Sequence, residues 1–215
     1  MTDPAGQGPR ERYRAQVRAE IKQHAWEQIA EAGVPALSLN AIAKKVGMSG
    51  PALYRYFASR DELITALIRD AYRSLADTVR AAHSAGADLA SLARVVRDWA
   101  RSDPQRYFLI YGTPVPGYHA PDDITAISFE VMTVLLDAAG ALPEDKPSTP
   151  FDKHLETHRD WALDHPAGAE TLHRALAFWT RLHGVLSLEL AGHFAGMKFD
   201  PDLLIDEELK ALLEK

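Results

Sequence analysis

The chain has 215 residues, of which 47% are hydrophobic and 25% charged, an ordinary globular composition with enough apolar residues to bury a core in one large or two small domains. It contains no cysteine, which excludes disulfides, thiolate metal sites and cysteine catalysis. No apolar run approaches the roughly 18 residues of a membrane span, and the first ten residues carry no apolar leader, so a cytoplasmic protein with no membrane partner is expected. The net charge of -6 is unevenly divided: residues 1–60 carry nine Lys and Arg against five Asp and Glu, a net of +4 that leaves -10 for the remainder. A basic N-terminal third on an acidic body suits a module that meets phosphate at one end and is repelled elsewhere.

Residues 1–13 are rich in Gly and Pro without periodicity and read as a flexible basic arm. Ile21, Ala25, Ile29 and Ala32 then recur at helical spacing up to Gly33. Ser38 is placed to cap a second helix with Leu39, Ile42, Ala43 and Val46 on one face, and Gly47 stops it. Ser49 is placed to cap a third, which tolerates Pro51 in its first turn and turns Leu53 and Phe57 inward. The opposite face presents Pro51, Ala52 and Arg55, flanked by Tyr54 and Tyr56. Ser59 and Glu62 have the spacing of a capping box, and Leu63, Leu67, Ala71, Leu75 and Val79 continue one long helix to about His83.

A turn at residues 84–88 precedes a helix carrying Leu89, Leu92, Val96 and Trp99. A short aromatic helix spans residues 106–111, and the Pro- and Gly-rich stretch 112–123 reads as an ordered loop. Residues 125–142 are helical again, 142–150 form a polar linker, and further helices are expected over 151–164, 168–194 and 201–213. The predicted class is all-α with nine or ten helices. A helix-turn-helix occupies about 38–57 within a three-helix domain at 14–67, followed by a larger helical body at 68–215.

The ungapped run Leu39, Ile42, Ala43 and Gly47, then Met48-Ser49, Leu53-Tyr54-Arg55-Tyr56-Phe57 and Arg60-Asp61-Glu62-Leu63 resembles the DNA-binding domain of the tetracycline-repressor-like (TetR) family of bacterial regulators. The residues 178–184, Phe-Trp-Thr-Arg-Leu-His-Gly, with 112–118 before them, resemble the C-terminal domain of a TetR subgroup named for its Trp, His and Gly. Carried onto matching positions, the first resemblance implies that Asn40, Ser49, Gly50, Pro51, Ala52, Tyr54, Arg55, Tyr56 and Arg60 meet DNA. Arg55 is assigned to a guanine or a phosphate, Tyr54, Tyr56 and Arg60 to phosphate, with packing the alternative for the two tyrosines, Asn40 to adenine, and Pro51 and Ala52 to thymine methyls. Two positions depart from the family pattern: Gly50 offers no base-reading side chain and Leu39 no phosphate-binding hydroxyl. Arg10, Arg12 and Arg14 either enter the minor groove or solubilise the tail.

In the body, aromatic residues at helical spacing serve a core as readily as a pocket. The resemblance implies an effector cavity for a small, largely apolar molecule, and Tyr107, Tyr111, Trp161 and His183 are its candidate lining. His154 and His158, four apart, share a helical face but lack a third ligand, so no metal and no cofactor are assigned. The chain has no Gly-x-Ser-x-Gly, phosphate loop, dinucleotide fingerprint or His-Glu-x-x-His, so no enzyme is expected. The sequence therefore leads to a homodimeric, ligand-responsive regulator, a repressor, on a palindromic operator, with its dimer interface on residues 172–190 and 203–213. The alternative is a dimeric DNA-binding protein whose body is only a scaffold.

Overall fold

A computed structural model describes residues 8–113, 118, 121–144 and 147–213. Among them the chain is all-α, with ten α-helices and two short 3-10 turns. It divides into two compact units, one formed by residues 1–71 and 108–121 and the other by residues 72–107 and 122–215.

In the first unit α1 (Pro9–Ala32) is followed by α2 (Leu39–Lys45), α3 (Gly50–Leu53) and the first part of α4 (Arg60–Ser84). Val17, Ile21, Ala25 and Ile29, each one turn apart, bury one stripe of α1. Ile42, Leu53, Phe57, Leu63 and Leu67 are buried with them. Residues 9–13, expected within a flexible arm, are helical: α1 begins at Pro9, whose ring presets the helical φ, and Glu11 accepts the Gly8 amide at 3.1 Å. Arg10, Arg12 and Arg14 therefore stand on a helix, while residues 1–7 lie outside the described residues.

Ser38 caps α2 as expected, its hydroxyl accepting the Ala41 amide at 3.3 Å. At the other end Gly47 takes φ +72°, and the Met48 and Gly47 amides return to the carbonyls of Ala43 and Lys44. This closure requires a left-handed residue, hence glycine. The third helix is shorter than predicted. Regular α3 ends at Leu53, Tyr54 is its cap and the chain turns through Tyr56. The capping box at Ser59 is half formed: Ser59 Oγ accepts the Glu62 amide at 3.0 Å, but Glu62 Oε2 takes the Ala58 amide at 2.6 Å.

In the second unit α9 (Ala169–Leu190) is the central element, packed against α5 (Leu89–Ser102), α7 (Asp122–Gly140), α8 (Pro150–Leu155) and α10 (Pro201–Leu213). Leu172, Ala175, Phe178, Leu182 and Leu186 form its buried stripe. The predicted helix over 151–164 breaks at Leu155. Arg159 draws the chain into a loop by donating to the carbonyls of His165 at 2.6 Å and Ala167 at 3.0 Å. A 3-10 turn at Asp160–Ala162 follows. The predicted helix over 168–194 ends at Leu190, because Gly192 takes φ +79° and the His193 amide returns to Leu188.

The polar linker at 142–150 is pinned where it is described; Asp145 and Lys146 lie outside the described residues. Arg174, buried on α9, donates to the carbonyls of Ala139 at 3.0 Å and Pro143 at 2.8 Å and to Glu170 at 2.8 Å. It thereby supplies donors to the open carbonyl end of α7. Thr149 and Asp152 then exchange side-chain and backbone bonds as a full capping box on α8. Removing the Arg174 guanidinium leaves a half-buried carboxylate and two carbonyls without their donor, so Arg174→Met is expected to destabilise the protein by about 2 kcal/mol or more. Urea denaturation measures this, and a loss below about 1 kcal/mol contradicts the role.

Candidate nucleic-acid interface

Six of the nine residues assigned to DNA lie on α3 or the turn that follows it, and their exposure separates them. Pro51, Tyr54 and Arg55 are exposed, Gly50, Ala52 and Tyr56 half-buried, and Leu53 and Phe57 between them fully buried. The helix is thus held by its inner face and shows the outer one. The Tyr54 ring is 47% exposed, and neither its hydroxyl nor the Arg55 guanidinium has a partner among the described residues. Ser49 and Asn40 are exposed beside them. A Cβ at position 50 would lie 3.5 Å from Asn40 Oδ1, so the start of α2 and the start of α3 bring Asn40 and Gly50 together. The ring of Tyr56 sits 5.9 Å from the Arg14 guanidinium.

Arg60 also makes contacts within the fold. It is half-buried at the start of α4 and donates to the carbonyls of Val34 at 2.6 Å and Leu37 at 3.2 Å. Those carbonyls belong to the 3-10 turn joining α1 to α2, so Arg60 ties that turn to α4 through its Nε and Nη2 donors. Arg14 is likewise engaged, giving a hydrogen bond to the Arg55 carbonyl at 3.2 Å. Sequence spacing could not expose these two engagements, because both partners are backbone atoms brought close only by tertiary packing. Exposed Lys44, in the last turn of α2, has no partner among the described residues and adds a cation to this side.

The four candidate effector residues do not form one cluster. Tyr107 is buried and its hydroxyl lies 3.0 Å from His183 Nδ1, with the two rings stacked at 5.6 Å. Trp179 meets the same imidazole edge-on at 4.0 Å. Trp161 instead lines a shallow groove with Phe129, Met132, Leu136 and Leu163. Tyr111 is one turn beyond Tyr107 on α6 (Pro104–Tyr111) and belongs to the first unit. The loop expected to rim the cavity falls partly on residues 114–117, 119 and 120, outside the described residues. A separate cleft of about 120 Å³ lies among Pro147, Thr149, Asp152, His173, Arg174 and Leu212. The rings of His154 and His158 stack at 3.8 Å, and among the described residues no three His, Asp or Glu side chains converge as metal ligands.

Burial lowers the His183 imidazole to about 4 and pushes the Tyr107 phenol up to about 12, so both are neutral near pH 7. The unfolded histidine, near 6.5, takes up its proton first, and the folded state therefore loses stability as pH falls from 6.5 towards 4. At about 1.4 kcal/mol per pH unit the loss approaches 3 kcal/mol. His183→Gln is expected to be less stable than the parent at pH 7, with the gap closing by that amount at pH 4. A gap independent of pH contradicts the burial.

A short exposed helix, set across a capped partner by a glycine turn, with tyrosine and arginine projecting and cations beside it, defines a helix-turn-helix DNA-binding module. Residues 21–67 match the family model described as bacterial regulatory proteins, tetR family, and residues 89–212 the one described as tetracyclin repressor-like, C-terminal domain. The chain belongs to the TetR family and is a DNA-binding transcriptional regulator rather than an enzyme.

The chain is 37% identical to the HTH-type transcriptional regulators Rv1816 of Mycobacterium tuberculosis and Mb1846 of Mycobacterium bovis, over 96% of this chain and 94% of each relative. The crystal structure of the regulatory protein SCO4313 superposes with a TM-score of 0.90 at 68% identity, over 97% of this chain and all of that one. FadR of Bacillus subtilis, solved in complex with stearoyl-CoA, shares the fold with a TM-score of 0.55 at 15% identity, over 91% and 97% of the two chains. The matched C-terminal model carries the general description, not the Trp-His-Gly subgroup. Among the described residues no helix is long and apolar enough to cross a membrane.

Proposed function

We propose that this regulator binds a palindromic operator as a homodimer and represses transcription until a small, largely apolar effector releases it. The observation that carries the DNA contact is the outer face of α3, where Tyr54 and Arg55 project without partners while Leu53 and Phe57 anchor the helix from below. Pro51, Ala52 and the Gly50 backbone make that face thin enough for close approach to base edges. Asn40 and Ser49 stand at its rim, and Tyr56 takes a flanking phosphate. Arg60 acts on the α1–α2 turn and offers its remaining N–H donors to a phosphate.

One four-residue helix reads few bases. Two copies related by a two-fold axis read half-sites about 34 to 36 Å apart, which supports a dimer on a palindrome. The effector reading rests on buried Tyr107 with half-buried His183 and Trp179, a group that combines apolar rings with polar atoms, the usual make-up of a small-molecule site. The uninterrupted α4 supplies residues up to Ala71 to one unit and those from Tyr72 to the other, so an effector that shifts the body has a covalent route to the reading head.

Duplexes selected by the protein from a random pool provide the probe. Replacing both Tyr54 and Arg55 by Ala is expected to weaken binding to the selected duplex by about 2 kcal/mol or more and to relax one position per half-site. Unchanged affinity in an electrophoretic shift rejects the placement, and the same complex serves to screen apolar compounds for release.

The dimer interface is assigned to the outer sides of α9 and α10. On α9 these positions are Thr180, Gly184 and Leu188, the last 45% exposed, and on α10 Leu203 is 65% exposed. Leu186 is fully buried within the protomer, so a charge there tests folding and not association. Leu188→Glu is expected to yield monomers that retain helix content and lose operator binding, because the interface of more than roughly 1,200 Å² cannot bury an unpaired charge. An intact dimer in sedimentation moves the interface elsewhere.

A further inference from the structure

The DNA-reading segment cannot hold its own shape. It has four regular residues, far below the length at which a helix persists in water, and in the turn that leaves it the carbonyls of Arg55 and Tyr56 receive no backbone amide among the described residues. Both are taken by side chains from α1, about forty residues earlier. Arg14 donates to the Arg55 carbonyl at 3.2 Å and Arg18 donates to the Tyr56 carbonyl. Arg18 is set there by three further contacts. Its guanidinium lies 4.0 Å from the centre of the buried Phe57 ring. Glu62 Oε1 approaches it at 3.8 Å, and the other oxygen of Glu62 accepts the Ala58 amide. The turn leaving α3 is therefore held at Tyr56 by a cation and at Ala58 by a carboxylate, and the two holders pair with each other.

We infer that Arg18, seconded by Arg14, is a positioning residue for operator recognition: it fixes the end of α3, and with it the aim of Tyr54 and Arg55, without itself touching a base. Charged donors make the stronger class of hydrogen bond, and a cation at a helix C-terminus is also favoured by the helix dipole. Both arginines precede residues 21–67, the span matched by the family model. This inference rests on the reading of α3 as the element that meets DNA.

The test uses the full chain, the selected duplex and an unrelated duplex of equal length. Arg18→Gln is expected to weaken the selected duplex about tenfold or more and the unrelated one less than about twofold, with the slope of log affinity against log salt unchanged. Amide exchange at residues 54–58 is expected to accelerate while the middle of α1 stays protected. Arg18→Lys, which keeps the cation and one donor, is expected to recover most of the discrimination.

Equal weakening of both duplexes with the slope reduced by about 1 makes Arg18 a phosphate contact and overturns the inference. Unchanged discrimination overturns it as well. If Arg18→Gln does not fold, Arg14→Gln, which removes the exposed bond to the Arg55 carbonyl and the guanidinium over the Tyr56 ring, is expected to cost about two- to fivefold on the selected duplex alone, and no loss rejects the scheme. The Tyr54 and Arg55 double variant separates the two levels. If it too binds normally, the reading of α3 fails; if it loses binding while the arginine variants do not, only the positioning role fails.

Discussion

Unsatisfied carbonyls at the ends of short helices and turns are the constraint on which much of this fold depends, and arginine is the residue that meets it. Every helix leaves its last carbonyls without intrahelical donors, and a guanidinium offers several donors and no acceptor. In the first unit Arg18 and Arg14 reach the turn after α3, and Arg60 reaches the turn between α1 and α2. In the second, Arg174 closes α7 and Arg159 gathers the loop after α8. A chain built largely of helices joined by tight turns has many such ends, and long side chains from neighbouring helices satisfy them where local caps do not.

This use of arginine alters the meaning of the basic N-terminal third. Its net positive charge draws the domain towards phosphate, yet several of the cations are engaged on backbone carbonyls and carboxylates. Among the described residues the exposed cations without such engagements include Arg10, Lys44 and Arg55. The second unit shows the same economy in a buried form. Arg97 of α5 gives a two-pronged bond to Glu189 near the end of α9, at 2.8 and 2.9 Å, and pairs with Asp202 at the start of α10. Hydrogen bonding to Glu189, opposed by burial, holds the Arg97 guanidinium well above its ordinary value. That group ties α5, α9 and α10 by charge, while the Tyr107 and His183 pair is kept neutral by burial. One buried polar group acts through its charge and the other through its absence of charge.

The sequence by itself determined the all-α class, the order of the helices and the location of the reading head. These follow from local rules: apolar spacing at 3.6 residues per turn, serine caps at Ser38 and Ser59, and the glycine stop at Gly47. The boundaries of α5 and α10, and the outward face of Pro51, Tyr54 and Arg55, were legible for the same reason. Tertiary structure alone decided where a helix stops when its end is closed by a distant group. Arg174 of α9 closes the end of α7, and the turn after the short α3 is held by side chains some forty residues away. It also decided which charged residues remain available: Arg60 and Arg14 match or flank a DNA-binding pattern in sequence, but packing places backbone carbonyls within their reach. The effector candidates divided in the same way, with Tyr107 and His183 joined and Trp161 set apart. Periodicity reports which residues face inward on one helix, whereas the pairing of inward faces is fixed only when the helices pack.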